Sequence, residues 1–149
     1  MTLKGMLSAL GGAPAKPFKR PEGKKYILLI EDDKDLMEMY KTKLENEGFF
    51  VLISQDGKQG LRDIRDTRPD LVLLDILMPV KDGFDVLEEK GRCSIPGVKE
   101  IPAIVLTNLA SPDDQAEGKR LGAKDWWIKA YNTPAEVAEK VKKFLSKQK

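Results

Sequence analysis

Three carboxylates in this chain come directly after runs of aliphatic residues. Asp75 follows Leu71–Leu74, and Glu31 and Asp32 follow Tyr26–Ile30. Uninterrupted apolar runs of this length are typical of the inner strands of a parallel sheet, which are buried on both faces. Because open α/β sheets bind their ligands at the carboxyl ends of the strands, we expect these three side chains to lie together at one edge.

Two further residues that could take part in chemistry also end predicted strands. Thr107 closes Ala103–Thr107, and Lys129 closes Trp126–Lys129. Carboxylates that lie close together repel one another unless a cation joins them, and oxygen ligands select a hard ion such as Mg²⁺ or Mn²⁺. A hydroxyl and an ammonium group beside that ion can bind phosphoryl oxygens, which is most of what catalysing phosphoryl transfer requires. The combined set predicts a metal-dependent phosphoryl-transfer site.

The rest of the chain supplies the elements that would position these residues. A further strand is predicted over Phe49–Ile53, and apolar residues at helical spacing follow each strand. Ser111 has the features of a helix N-cap, and Thr133 begins a capping box that ends at Glu136. This repeated β–α order predicts the α/β class: a single doubly wound, five-stranded parallel sheet with helices on both faces and right-handed crossovers.

Net charge divides the chain into two parts. Residues 1–25 hold six basic residues and one acidic residue among glycines, prolines and a few apolar residues, so we interpret them as a flexible basic tail. Their apolar stretch is too short and too broken by glycine for a signal peptide. Residues 26–149 hold 20 basic and 23 acidic residues and are predicted to form the folded domain. A mildly acidic domain argues against direct nucleic-acid binding.

The residue types that are missing exclude several classes of chemistry. The chain has no histidine and one cysteine, Cys93. Catalysis by Ser-His-Asp or Cys-His groups, metal binding through histidine and an internal disulfide are therefore excluded. A lone cysteine suits a reducing cytosol, so we expect a cytoplasmic protein. No apolar run approaches the roughly 20 residues that a membrane-spanning helix needs.

Four motifs occur in order on the predicted elements. They are Ile-Glu-Asp-Asp at 30–33, Asp-Ile-Leu-Met-Pro-Val-Lys-Asp-Gly at 75–83, Ile-Val-Leu-Thr at 104–107 and Gly-Ala-Lys-Asp-Trp-Trp-Ile-Lys at 122–129. Each is weakly specific alone, but the ordered set is strong. From Tyr26 onward the chain resembles the receiver domain of two-component response regulators, including the chemotaxis receivers. The resemblance implies the flavodoxin-like strand order 2-1-3-4-5.

The resemblance also implies roles for the carboxylates. Asp75 would be the phosphoacceptor and would take a phosphoryl group from the phosphohistidine of a sensor histidine kinase or a histidine phosphotransfer protein. Glu31, Asp32, Asp75 and the backbone carbonyl of Leu77 would hold Mg²⁺, or alternatively Mn²⁺. Such a protein is a regulator rather than an enzyme: it accepts phosphoryl groups, also from small donors, and loses them slowly by itself.

Thr107 would hydrogen-bond the phosphoryl group and Lys129 would neutralise it, but two neighbouring positions depart from the family pattern. Receivers usually have proline after the lysine, often with a cis bond, whereas this chain has Ala130. A cis bond before a non-proline residue costs about 3 kcal/mol, so either a trans loop or a strained one must place the lysine. Trp126 stands at the position of the switch aromatic; its larger indole either switches or only packs. Trp127, on the opposite face, is predicted to be core.

Two leucines stand at positions that, in receivers, border the path of the water that hydrolyses the acyl phosphate. Leu77 lies two residues after Asp75, and Leu109 lies two residues after Thr107. Neither side chain can hydrogen-bond a water molecule, and both would crowd its approach. The resemblance therefore implies slow self-dephosphorylation.

Signalling would follow a shift in population. Phosphorylation would favour a partner-binding form of the surface made by the fourth helix, the fifth strand and the last helix, which then binds a downstream protein target. We expect a stand-alone receiver, either a monomer or a phosphorylation-dependent dimer. The alternative is a phosphorylation-independent interaction module that keeps the receiver fold. An aspartyl-nucleophile phosphohydrolase is disfavoured because Leu77 stands where such enzymes have a second acid.

Overall fold

A computed structural model describes residues 18–148 of the chain. A single sheet of five parallel strands has the order β2-β1-β3-β4-β5. In chain order the strands are β1 (Tyr26–Ile30), β2 (Phe50–Ser54), β3 (Leu71–Leu74), β4 (Ala103–Thr107) and β5 (Asp125–Ile128). The predicted doubly wound class and the strand order 2-1-3-4-5 are confirmed.

Helices alternate with the strands, and their ends follow the capping residues. They are α1 (Lys34–Asn46), α2 (Gly57–Thr67), α3 (Gly83–Gly91), α4 (Pro112–Arg120) and α5 (Pro134–Ser146). Ser111 Oγ accepts the N–H of Asp114 at 3.1 Å, as an N-cap does. Thr133 and Glu136 exchange side-chain and backbone hydrogen bonds, which confirms the predicted capping box.

The sheet is covered on both faces. Apolar residues of α1 and α5 pack with Trp127 on one face, and apolar residues of α2 and α3 pack with Trp126 on the other. Trp127 is 6% exposed, so its predicted place in the core is confirmed. An inner strand lies between two apolar layers, so its side chains on both faces must be apolar and its backbone polar groups must be paired with neighbouring strands. The uninterrupted aliphatic runs meet this requirement and form the inner strands.

Two strands differ from the prediction by one residue at both ends: β2 is Phe50–Ser54 where Phe49–Ile53 is predicted, and β5 is Asp125–Ile128 where Trp126–Lys129 is predicted. The N–H of Phe49 donates to the carbonyl of Leu44, so this residue belongs to the turn that closes α1 and β2 begins at Phe50. At the other edge, β5 ends at Ile128, and Lys129 starts a 3₁₀ turn over Lys129–Tyr131. The lysine is therefore placed by a turn and not by the strand.

The predicted basic tail lies largely outside the described residues, which begin at Phe18. The ring of Phe18 lies 5.3 Å from that of Tyr26 and 6.0 Å from that of Phe50, and Arg20 forms an ion pair with Asp70. The division of the chain at residue 25 stays a prediction. Among the described helices none is both long and apolar enough to cross a membrane.

Candidate functional site

The three strand-end carboxylates come together at the carboxyl edge of the sheet. Glu31, Asp32 and Asp75 each offer one oxygen, and these oxygens lie within 4.8 Å of one another. Glu31 is 1% and Asp75 is 7% exposed, whereas Asp32 lies at the surface. Oxygen ligands at this spacing, two buried and one open to solvent, fit a hard divalent cation. The acidic cluster could therefore hold a metal ion.

Backbone hydrogen bonds fix the two buried carboxylates. The N–H of Asp75 donates to the carbonyl of Ile30 at 3.0 Å, which extends the pairing of β3 with β1 past the end of β3. The N–H of Glu31 donates to the carbonyl of Ser54 at 3.0 Å, which extends β1 along β2 in the same way. Both acids are therefore held by the ladder and not by a free loop.

Lys129 reaches the same cluster. Its Nζ donates to Glu31 Oε2 at 2.6 Å and to Asp75 Oδ2 at 2.9 Å, and its side chain is 8% exposed. The other oxygen of Asp75, Oδ1, accepts the N–H of Ile76 at 2.7 Å. One ammonium group therefore lies between two buried carboxylates.

The pKa values of Glu31 and Lys129 both depend on burial and on the charged neighbours of each side chain. Burial raises the pKa of Glu31, the negative charge of Asp75 raises it further, and the hydrogen bond from Lys129 opposes both. Burial would lower the pKa of Lys129, but the hydrogen bond with Glu31 and the charge of Asp75 outweigh it and raise that pKa. The cluster has more carboxylates than ammonium groups, so a divalent cation would relieve the repulsion that remains.

Thr107 is fully buried at the end of the neighbouring strand. Because Leu74 of β3 is level with Val105 of β4, Thr107 lies beside the start of the loop that follows β3. Its Oγ1 accepts the N–H of Leu109 at 3.4 Å. A hydroxyl that accepts one bond can still donate its own hydrogen, so this side chain can serve an oxygen ligand at the site.

The two leucines flank the cluster on different loops. Leu77, between β3 and α3, is 62% exposed, and Leu109, between β4 and α4, is half-buried. Gly83, where the first of these loops ends, packs directly against the backbone of Asp75: a Cβ on Gly83 would lie 2.5 Å from the carbonyl oxygen of Asp75. The sequence does not reveal this close approach to the site, because it depends on how the loop folds back.

A model of the response regulator receiver domain family matches residues 27–142. The chain belongs to this family. Among curated relatives, the transcriptional regulatory protein CpxR of Escherichia coli K12 is 40% identical over 112 residues, which cover 75% of this chain and 46% of CpxR. PrrA of Mycobacterium leprae is 34% identical over 122 residues, or 82% of this chain and 50% of PrrA. This receiver spans about half the length of the curated relatives it matches.

Solved receiver structures share the fold over nearly their whole length. A CheY-like receiver from Methanospirillum hungatei is 28% identical, with a TM-score of 0.76 over 85% of this chain and 97% of that chain. CheY4 of Vibrio cholerae is 27% identical, with a TM-score of 0.74 over 81% and 98%. The Mn²⁺-bound form of Rcp1 is 27% identical, with a TM-score of 0.73 over 84% and 96%.

Ala130, which stands where receivers usually have proline, is joined to Lys129 by a trans peptide bond. No cis bond occurs within residues 18–148, so the bond between Lys129 and Ala130 is trans, and the 3₁₀ turn brings the lysine to the acids. The N–H of Ala130, which proline would lack, donates to Asn108 Oδ1 at 3.0 Å. The sequence does not point to Asn108, because this residue belongs to none of the four motifs and its hydrogen-bond partner, Ala130, lies 22 residues away.

Trp126 is held in a slot between three elements. Its Nε1 donates to the carbonyl of Leu109 at 2.9 Å, and its ring lies 6.2 Å from that of Phe84 on α3. Gly118 on α4 leaves room for the indole, since a Cβ there would come within 2.5 Å of the ring. The indole therefore packs inward in this structure. Whether it also switches stays a prediction.

Proposed function

We propose that Asp75 accepts a phosphoryl group from the phosphohistidine of a sensor histidine kinase or a histidine phosphotransfer protein. One observation supports this most directly: a buried aspartate at a strand end has Lys129 at 2.9 Å and two further acids within 4.8 Å. An aspartate in such a place can react as a nucleophile with a phosphorus atom whose oxygens are neutralised by the cations around it.

The chemistry requires one bond to form and one to break. A carboxylate oxygen of Asp75 attacks phosphorus, the bond from phosphorus to the imidazole nitrogen breaks, and the electron pair stays on that nitrogen. Lys129 and Thr107 bind the phosphoryl oxygens as charge builds up on them. Glu31, Asp32, Asp75 and the carbonyl of Leu77 would hold Mg²⁺, or Mn²⁺ in its place, which when bound neutralises phosphoryl charge. The product is an acyl phosphate on Asp75.

The surface around β5 supports a role in binding a downstream protein. Two grooves, of about 400 and about 380 Å³, lie on either side of Trp126. The lysines that line them are Lys119, Lys124, Lys140, Lys143 and Lys147. Among the described residues lining either groove, Asp125 is the one acid. The lysines make this surface basic, whereas the rest of the domain is mildly acidic. We therefore expect a partner with an acidic segment, bound when phosphorylation shifts this surface.

The first experiment is phosphorylation by a small donor. The purified protein, incubated with Mg²⁺ and acetyl phosphate, should gain one phosphoryl group by intact mass, and Asp75→Asn should gain none because an amide is not a nucleophile here. Asp113→Asn, an exposed aspartate on α4, should behave as the wild type. If the wild type binds Mg²⁺ but gains no phosphoryl group from acetyl phosphate or a histidine kinase, the phosphorylation-independent interaction module is the better account. The hydrogen bond that holds Trp126 inward is the observation in its favour.

The acyl phosphate should then decay slowly. In Mg²⁺ buffer we expect it to persist for minutes or longer, because Leu77 and Leu109 cannot orient a water molecule for attack. Leu77→Asn should shorten the lifetime, since its amide can hold that water. Val80→Asn is the matched control on the same loop: Val80 is 73% exposed and its φ of 70° is one that asparagine tolerates. A wild-type lifetime of only seconds would refute the role of the leucines.

A further inference from the structure

We infer that Asn108 is a positioning residue that holds Lys129 in place through the backbone of Ala130. The inference rests on the proposed function, because it assigns Asn108 to the same phosphoryl site. Its basis is the hydrogen bond from the N–H of Ala130 to Asn108 Oδ1, at 3.0 Å. Ala130 directly follows the lysine whose Nζ bonds the two buried carboxylates.

The bond meets a need that arises where β5 ends. The first N–H groups of a helical turn have no partner inside the turn, and another group must accept them. The 3₁₀ turn Lys129–Tyr131 has no side-chain cap from its own N-cap residue, Ile128. Its later end is closed internally, by the N–H of Asn132 donating to the carbonyl of Lys129. Asn108, on the loop between β4 and α4, therefore supplies the acceptor that the turn lacks.

Other bonds brace the same short segment. Before Lys129, Trp126 Nε1 donates to the carbonyl of Leu109, next to Asn108 in the chain. After it, Asn132 Nδ2 donates back to the carbonyl of Ile128 at 2.8 Å. The loop that follows Thr107 is thus joined to this segment before the lysine, at Trp126, and after it, at Ala130, while the Asn132 bond closes the segment on itself. Small displacements of the backbone there would move the Nζ out of its short contacts.

Packing does not explain Asn108. The residue is exposed, so it adds little to the core, and its replacement should leave the fold intact. Its contribution is the hydrogen bond that its side-chain oxygen accepts from the backbone N–H of Ala130, the residue after the lysine. Because a misplacement of about 1 Å can cost up to a hundredfold in rate, one such bond can matter to phosphorylation.

The test is a double-mutant cycle. Asn108→Ala should slow phosphorylation by acetyl phosphate roughly five- to a hundredfold, with an unchanged thermal midpoint. In a Lys129→Met background the same change should have no further effect, since Asn108 acts through the lysine. Ser111→Ala, which alters the same loop at its helix cap, is the control and should keep the wild-type rate. An equal slowing in both backgrounds would show direct action on the phosphoryl group and overturn the inference.

A second readout does not depend on phosphorylation. In protein labelled with ¹⁵N-lysine, the ammonium signal of Lys129 is identified by its loss in Lys129→Met. Asn108→Ala should shift or broaden this signal, because the ammonium group is less firmly held between its two carboxylates, and Ser111→Ala should not. An unchanged signal together with a wild-type rate would refute the inference. A changed signal in a protein that no donor phosphorylates would keep the positioning role and refute the proposed function.

Discussion

Replacing Lys129 by methionine should lower the free energy of unfolding by about 3–5 kcal/mol in metal-free buffer, the usual loss when one partner of a buried ion pair is removed. The side chains of Glu31 and Asp75 are 2% and 8% exposed, so the variant would leave their charges buried without the ammonium group. Urea unfolding in the presence of a chelator measures this loss. The loss of stability should be smaller at acid pH, because burial raises the pKa of Glu31 and a protonated, neutral Glu31 needs no counter-charge.

Mg²⁺ should restore more stability to Lys129→Met than to the wild type. In the wild type the ammonium group already occupies the two buried carboxylates, so an added cation must compete with it. In the variant the cation meets carboxylates that nothing else neutralises, and tighter binding to the native state stabilises it more.

Lys142→Met is the matched control for this experiment. Lys142 also pairs with a glutamate, Glu47, but its side chain is 41% exposed. Exposed pairs contribute little to stability because water screens their charges, so the free energy of unfolding of this variant should stay close to that of the wild type, with or without Mg²⁺. If Lys129→Met lost no more free energy of unfolding than Lys142→Met, or if Mg²⁺ stabilised the two variants equally, Lys129 would not be neutralising two buried carboxylates.

Raising the pH from about 8 to about 10.5 should stabilise the wild type relative to Lys90→Met, by up to about 3 kcal/mol over the whole window. Burial lowers the pKa of Lys90 from 10.5 to about 8; the nearby charge of Lys124 lowers it further and Glu100 opposes the shift. Lys90 is 7% exposed, and its Nζ donates to the carbonyl of Lys99 at 3.0 Å.

The sign follows from the protons bound in each state. Below pH 8 both states hold the proton, and the native state bears the cost of a buried ammonium group. Between the two pKa values the unfolded chain binds more protons than the native state, so the stability of the wild type rises with pH. Above the window both states are neutral and the cost has gone.

Urea unfolding of both proteins at several pH values measures this difference, and the comparison cancels groups that titrate alike in both. The hydrogen bond to Lys99, lost in the variant, shifts the whole curve without changing its slope. Lys58→Met, an exposed lysine on α2, should show no comparable trend because its charge is not buried. A flat difference for Lys90→Met would mean that this amine is solvated in the folded protein.

Local pattern was enough to place the strands because strand formation here depends on uninterrupted apolar runs. The bounds predicted for β1, β3 and β4 agree with the structure, and β2 and β5 differ only at their ends. Phe49 lies outside β2 although its residue type favours a strand. Its side chain suits a strand, but its N–H is used by the turn that closes α1, and apolar character alone does not reveal that hydrogen bond.

The sequence by itself determined the family, the sheet and the identity of the acids at its edge. Apolar periodicity sets which residues are buried, and parallel strands bring their carboxyl ends together whatever the details of packing. That Glu31, Asp32 and Asp75 would converge therefore followed from topology alone.

Only the tertiary structure decided how the site is held. The bonds of Lys129 to Glu31 and Asp75 join residues 98 and 54 positions apart, and the trans turn that directs the lysine is braced by Asn108. The place of the Trp126 ring likewise depends on Gly118 of α4, which leaves room for it. Side-chain contacts of this kind are decided within fractions of an ångström by how helices and loops pack, and no local pattern contains that information.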